Sequence, residues 1–143
     1  MQNGMEKNKI SFEVLKEFPD NETLQEITRL YTMLFEDADI NFFINRLEEN
    51  LDVIMIVAFH RKKIVGFKIG YPYDKETFYS WIGGVLPEYR KTRVGTNLLK
   101  TLEKIVSTLG YKKLKTKSMN TFKPMMILNL KNGFDIVKFY TNS

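Results

Sequence analysis

The part of this 143-residue chain that most restricts its fold lies between residues 77 and 116. Within it Val94, Leu98, Leu99, Leu102, Ile105, Val106 and Leu109 recur at 3.6-residue spacing, which predicts a helix with one apolar face. Gly110 stands where a helix ends on a left-handed residue, and Thr92 is the expected cap at its start. Residues 77–85 ahead of it read as a strand, and residues 111–116 behind it as another. A helix set between strands in this way must cover the face of a sheet.

The flanking sequence supplies the other elements. Phe12, Val14 and Leu15 mark a first strand over 11–18, broken by Pro19. Asp20 or Asn21 then caps a helix over 22–35, in which Leu24, Ile27, Leu30, Tyr31 and Leu34 share a face. Glu36, Asp37 and Asp39 interrupt it, and Phe42, Phe43, Leu47 and Leu51 predict a shorter second helix. The apolar run 53–59 reads as a buried strand, paired with 64–71 through a turn at 60–63 that contains neither Gly nor Asn. Pro72 and Asp74 open a loop before the strand at 77–85. Downstream, Pro124 and Gly133 bracket a predicted helix over 121–132, and 134–141 is a last strand. The predicted order is β, α, α, β, β, β, α, β, α, β, with a flexible terminus over 1–10 and a single domain over 11–143.

Composition narrows the function. Lys and Arg number 22 against 17 Asp and Glu, a net charge of +5 that favours acidic partners without choosing among them. The run 112–117 alternates lysines with Leu114 and Thr116, the pattern of a strand with one solvated face. A nucleic-acid surface would interleave aromatics with basic residues on one sheet face, whereas these aromatics follow core periods, so no nucleic-acid partner is expected. No apolar run reaches the roughly 18–20 residues of a membrane span, and residues 1–9 are polar, so no membrane partner is expected and a cytoplasmic location is. The absence of cysteine excludes a disulfide framework and a thiolate metal site, and no metal is expected.

The stretch from Trp81 through Gly83, Gly84, Val85, Pro87 and Arg90 to Gly95, Leu98 and Leu99 resembles the central motif of the GNAT (Gcn5-related N-acetyltransferase) superfamily. That motif is a strand ending in V-x-P, a Q/R-x-x-G-x-G/A loop and an amphipathic helix. Asn120, residues 126–129 and Asn132-Gly133-Phe134 resemble the family's last helix and its terminal G-F, and the element order matches from about 11 to 141. The resemblance implies an α/β (α+β) fold: a mixed, mostly antiparallel sheet of six strands with about four helices. The family's seventh strand is then missing, which leaves the last strand an unpaired edge; a partner chain, as in a homodimer, is one way to cover it.

The resemblance also implies acetyl-CoA as co-substrate. Backbone N–H groups of Lys91, Thr92, Arg93, Val94, Gly95 and Thr96 would hold its pyrophosphate at the helix start, with charge added by Arg90 and Lys91. Arg93 replaces the family's first loop glycine, so its backbone must still make the turn. Free main-chain groups of Gly83 and Val85 would hold the pantetheine, and the two glycines fit a bulge or a close approach. Acyl transfer needs a deprotonated amine, a polarised carbonyl and a proton for the thiolate. Asn129 stands where many relatives carry an acidic tyrosine, which leaves the thiolate, of pKa about 8–9, to another group or to solvent. Tyr79 stands where some relatives carry a basic glutamate, and is suited to ordering a water. Glu36, Asp37 and Asp39 would border the acceptor site and attract a cationic amine, and His60, in its turn, is not expected to take part. The implied activity is direct transfer of acetyl to a primary amine of a small molecule or peptide, since no cysteine is present as nucleophile. The rival is a non-catalytic acyl-CoA-binding domain.

Overall fold

The computed structural model describes residues 9–117, 125–130 and 135–140, with the segments 125–129 and 135–140 described as backbone. Its elements are β1 (Ser11–Leu15), α1 (Asn21–Leu34), α2 (Ile40–Glu49), β2 (Ile54–His60), β3 (Lys63–Pro72), β4 (Thr77–Val85), a 3-10 turn at Pro87–Tyr89, α3 (Val94–Thr108), β5 (Lys113–Lys117), β6 (Met125–Asn129) and β7 (Asp135–Tyr140). The strands form one sheet in chain order from β1 to β7. Every neighbouring pair is antiparallel except β4 and β5, which are parallel across the α3 crossover.

Local chemistry accounts for the helices. Asp20 caps α1 by accepting from the Thr23 N–H at 2.8 Å, and Asp39 caps α2 by accepting from the Phe42 N–H at 3.0 Å. Helix α3 buries Val94, Leu98, Leu102 and Val106, each side chain contributing about 1.5–3 kcal/mol, and it ends before Gly110 at φ 100°. The turn joining β2 to β3 puts Arg61 and Lys62 at φ 53° and 68°, so the left-handed residues that glycine or asparagine usually supplies are basic here.

The sheet has two faces. On one, α3 packs with Val94 and Leu98 against Gly66. On the other, α1 and α2 bring Leu34, Phe35 and Phe43 against Phe67, Gly84 and Trp81. Alternation along β3 and β4 therefore puts Lys68, Gly70, Ser80 and Gly83 on the α3 face, and Tyr71, Tyr79, Ile69 and Gly84 on the α1–α2 face.

The end of the chain departs from expectation. The predicted helix over 121–132 meets a strand, β6, at Met125–Asn129, with 121–124 and 131–132 outside the described residues. A four-residue apolar run, 125–128, has no period of its own, and here backbone pairing with β5 and β7 settles it as extended. The described residues hold three α-helices rather than about four, and the sheet has seven strands rather than six with a seventh missing. The last strand, β7, pairs with β6 on one side and forms the edge of the sheet among the described residues, as expected of the last strand. No helix among the described residues is long and apolar enough to cross a membrane.

Candidate active site

The parallel ladder between β4 and β5 is short. It runs from Thr77↔Lys113 to Ser80↔Thr116 and stops, while β4 continues for five more residues beside β3. The ladder ends at Ser80 and β5 itself at Lys117; among the described residues the β5-facing edge of residues 81–85 has no ladder partner, and this open edge is the gap beside β4. Leu86 donates to the Val65 carbonyl at 2.9 Å, so strand alternation turns Gly84 toward β3 and turns Gly83 and Val85 toward the opening. The Val85 carbonyl, expected to be free, accepts from Arg90 Nε at 3.1 Å. That leaves the Val85 N–H and both main-chain groups of Gly83 directed at the gap.

The glycine pair makes close approaches but no bulge. A Cβ on Gly83 would stand 2.8 Å from Lys68 Cδ and 2.9 Å from the Phe67 carbonyl oxygen, and one on Gly84 would stand 2.7 Å from Leu34 Cδ1. The bulge is two residues earlier. Ile69 pairs with Ile82 and Gly70 with Ser80, so Trp81 is the extra residue. Its ring joins the α1–α2 face, 5.6 Å from that of Phe43 and 6.2 Å from that of Tyr71.

At the upper end of the gap the chain makes the 3-10 turn and enters α3. Thr92 does not cap the helix; its hydroxyl donates to the Tyr89 carbonyl at 2.6 Å. The cap position falls to Arg93, whose φ of 66° is the left-handed conformation that a glycine would favour, and no side chain bonds the first turn. The first intrahelical bond of the new turn is Asn97 N–H to the Arg93 carbonyl, so Val94, Gly95 and Thr96 keep outward N–H groups. Gly95 is exposed, and a Cβ there would meet nothing nearer than Val85 Cγ2 at 3.7 Å. Internal packing does not require glycine at 95. Arg90, Lys91, Thr92 and Arg93 are all exposed around this end.

Among the described residues, two polar groups on the α3 face lack partners beside the gap. Ser80 Oγ is buried without a hydrogen bond at the last rung of the ladder. Lys68 lies across Gly83 with no bonded partner among the described residues, and desolvation lowers its ammonium to a pKa of about 8. Sequence reading passed over Lys68, although a lysine inside the apolar strand Ile64 to Tyr71 is itself a signal. Farther along α3, Glu103 Oε2 is also buried and unpaired, and desolvation raises its carboxyl. Glu103 lines a groove of about 570 Å³ with Thr96, Leu99 and Leu130.

The expected catalytic residues are not brought together. Tyr79 sits on the α1–α2 face one residue before the end of the ladder, edge-on to Tyr71 at 5.5 Å. Asn129 ends β6 opposite Lys113, at the level of Thr77 and below the gap. Lys115 is not simply solvated, since its ammonium stands 4.1 Å over the Tyr73 ring. Asp39 is committed to capping α2. His60 is half-buried, with Nδ1 in hydrogen-bond contact with Tyr89 Oη, which ties the β2–β3 turn to the 3-10 turn. Among the described residues no group of three or more His, Asp or Glu side chains is placed to hold a metal ion.

An open strand edge beyond a short parallel ladder, leading to an uncapped helix start beside buried polar groups, suits a long polar ligand with an anionic end. The sequence profile described as the acetyltransferase (GNAT) family matches residues 18–134. The chain belongs to the GNAT acetyltransferase family. Among solved structures, this GNAT chain is similar to YhbS of Escherichia coli in complex with CoA, with TM-score 0.71, 17% identity, and 90% of this chain and 87% of that one covered. It is similar to the ribosomal-protein-S18-alanine N-acetyltransferase of Escherichia coli, with TM-score 0.66, 15% identity and 79% and 70% coverage. It also matches Arabidopsis thaliana NAA60 bound to a bisubstrate analogue, with TM-score 0.60, 18% identity and 77% and 74% coverage. At these identities the likeness is one of fold. No curated protein sequence matches the chain.

Proposed function

We propose that the chain is an N-acetyltransferase that passes acetyl from acetyl-CoA directly to a primary amine. The observation that carries this reading is the parallel ladder of β4 and β5 stopping at Ser80 while β4 runs on to Val85, in line with the uncapped start of α3. The co-substrate supplies the acetyl group as a thioester. The N–H groups of Lys91 and of residues 93–96, with Arg90, Lys91 and Arg93 around them, hold its pyrophosphate at the helix start; the Thr92 N–H is already given to the Tyr89 carbonyl at 3.2 Å. Gly83 and the Val85 N–H bond its pantetheine arm along the open edge of β4, and the Gly83 N–H polarises the thioester carbonyl. Tyr79, on the opposite face, orders a water that receives the proton of the attacking amine.

The leaving thiolate needs a proton, and Lys68 is the group suited to give it. Its pKa of about 8 is close to that of a thiol, near 8.5, so proton transfer between them is nearly balanced. Asn129 takes no part in this scheme. The test is calorimetric titration of acetyl-CoA into the parent chain and a Gly95→Trp variant, whose exposed site tolerates a side chain. Micromolar binding in the parent, lost in a variant of unchanged circular dichroism, supports the reading and leads to assays for turnover. A folded parent that does not bind acetyl-CoA would sink it; binding without turnover of any amine would make the chain a binding domain.

A further inference from the structure

Arg46 projects from α2 toward the face of the sheet opposite α3. Its Nη1 donates to Tyr71 Oη at 2.7 Å, and its guanidinium lies 5.5 Å from the ring of Trp81 and 4.9 Å from that of Phe42. Trp81 is the first residue of β4 beyond the ladder, so this cation stands beside the mouth of the gap. Arg46 is only half-buried and has no carboxylate partner among the described residues. A guanidinium carries five N–H donors in a planar fork, and one is used.

The cofactor groups described above lie on the α3 face. An amine that attacks a thioester held in the gap therefore comes from the α1–α2 face, past Trp81 and Tyr79. The Arg46 guanidinium there lowers the energy of an acceptor with an anionic group near its amine, while the exposed carboxylates Glu36, Asp37 and Asp39 between α1 and α2 attract the amine itself. We infer that the acceptor is an amine that also bears a carboxylate, as an amino acid or the end of a peptide does, and that Arg46 binds that carboxylate bidentately. The Phe42 and Trp81 rings beside the guanidinium hold its plane while leaving its remaining donors for a planar anion. The inference rests on the transferase reading and names the substrate class of that site.

The experiment measures initial rates with acetyl-CoA and a panel of amino acids and dipeptides, each as free carboxylate and as C-terminal amide, with spermidine as the cationic reference. Acids are expected to exceed their amides in kcat/KM by about tenfold or more, the usual scale for a charge-assisted bond, and to exceed spermidine. In Arg46→Gln the acids should fall to the level of their amides through KM, with acetyl-CoA affinity unchanged; Arg46→Lys should keep part of the preference. Equal rates for acids and amides, a preference for spermidine, or a preference that survives in a folded Arg46→Gln would overturn the inference while leaving the transferase intact. Failure of the parent to bind acetyl-CoA would instead remove the transferase reading, and this inference with it.

Discussion

Arg93 holds a φ of 66° at the entrance to α3, where any residue with a Cβ is strained by about 1 kcal/mol. Arg93→Gly is therefore expected to raise the denaturation midpoint by the equivalent of about 1 kcal/mol. The same change removes a positive charge from the helix start and should weaken acetyl-CoA binding; a variant that is neither more stable nor weaker in binding would count against both roles. The glycine-to-arginine departure was visible in the sequence, and whether the turn survived it was not, because that depends on φ alone. Gly95 was legible for the opposite reason. A glycine early in a strong helix costs stability, so its presence pointed outward to a ligand, and the free space around it agrees. Lys68 and Arg46 were not singled out, since their significance comes from what crosses the sheet beside them.

At the scale of elements, the long periodic segments were readable and the short apolar one was not. Helices α1, α2 and α3 lie within a few residues of the positions that 3.6-residue spacing predicts, and β2, β3 and β4 follow their apolar runs. The segment Met125–Asn129 failed because helix punctuation on either side, Pro124 and Gly133, was given more weight than its strand-compatible core. The Trp81 bulge was likewise hidden, because a bulge exists only relative to a partner strand. Gly83 shows how tightly β3 and β4 are matched. Gly83→Ala puts a methyl against a backbone carbonyl and the Lys68 stem, so a loss of about 1–3 kcal/mol is expected in urea unfolding. A neutral result would mean that the strands can shift, and that the gap beside them is not held at a set width.

For the whole molecule, Lys68 links stability to pH. Its folded pKa, about 8, lies below the ordinary 10.5, so between those values the unfolded chain binds more protons than the folded one. Stability from this group therefore rises with pH across that window, and below it the buried charge costs roughly 1–3 kcal/mol. Lys68→Met should be more stable than the parent at pH 7 by about that amount, with the gap closing toward pH 10.5; a difference constant across the window would contradict the burial of this ammonium. The mixed sheet and the crossover through α3 were legible in the order of elements, whereas the second predicted crossover gave way to the antiparallel β5, β6 and β7. The division into a cofactor face and an acceptor face needed the register of β4. That register rests on one extra residue. Between Trp81 and the helix start, a chain one residue longer or shorter would exchange the two sides of everything downstream, whereas a change of two would restore them. Length variation among descendants of this sequence should therefore be free in the loop at 73–76 and confined to even steps inside β4, a parity rule that alignments of its nearest kin can be searched for.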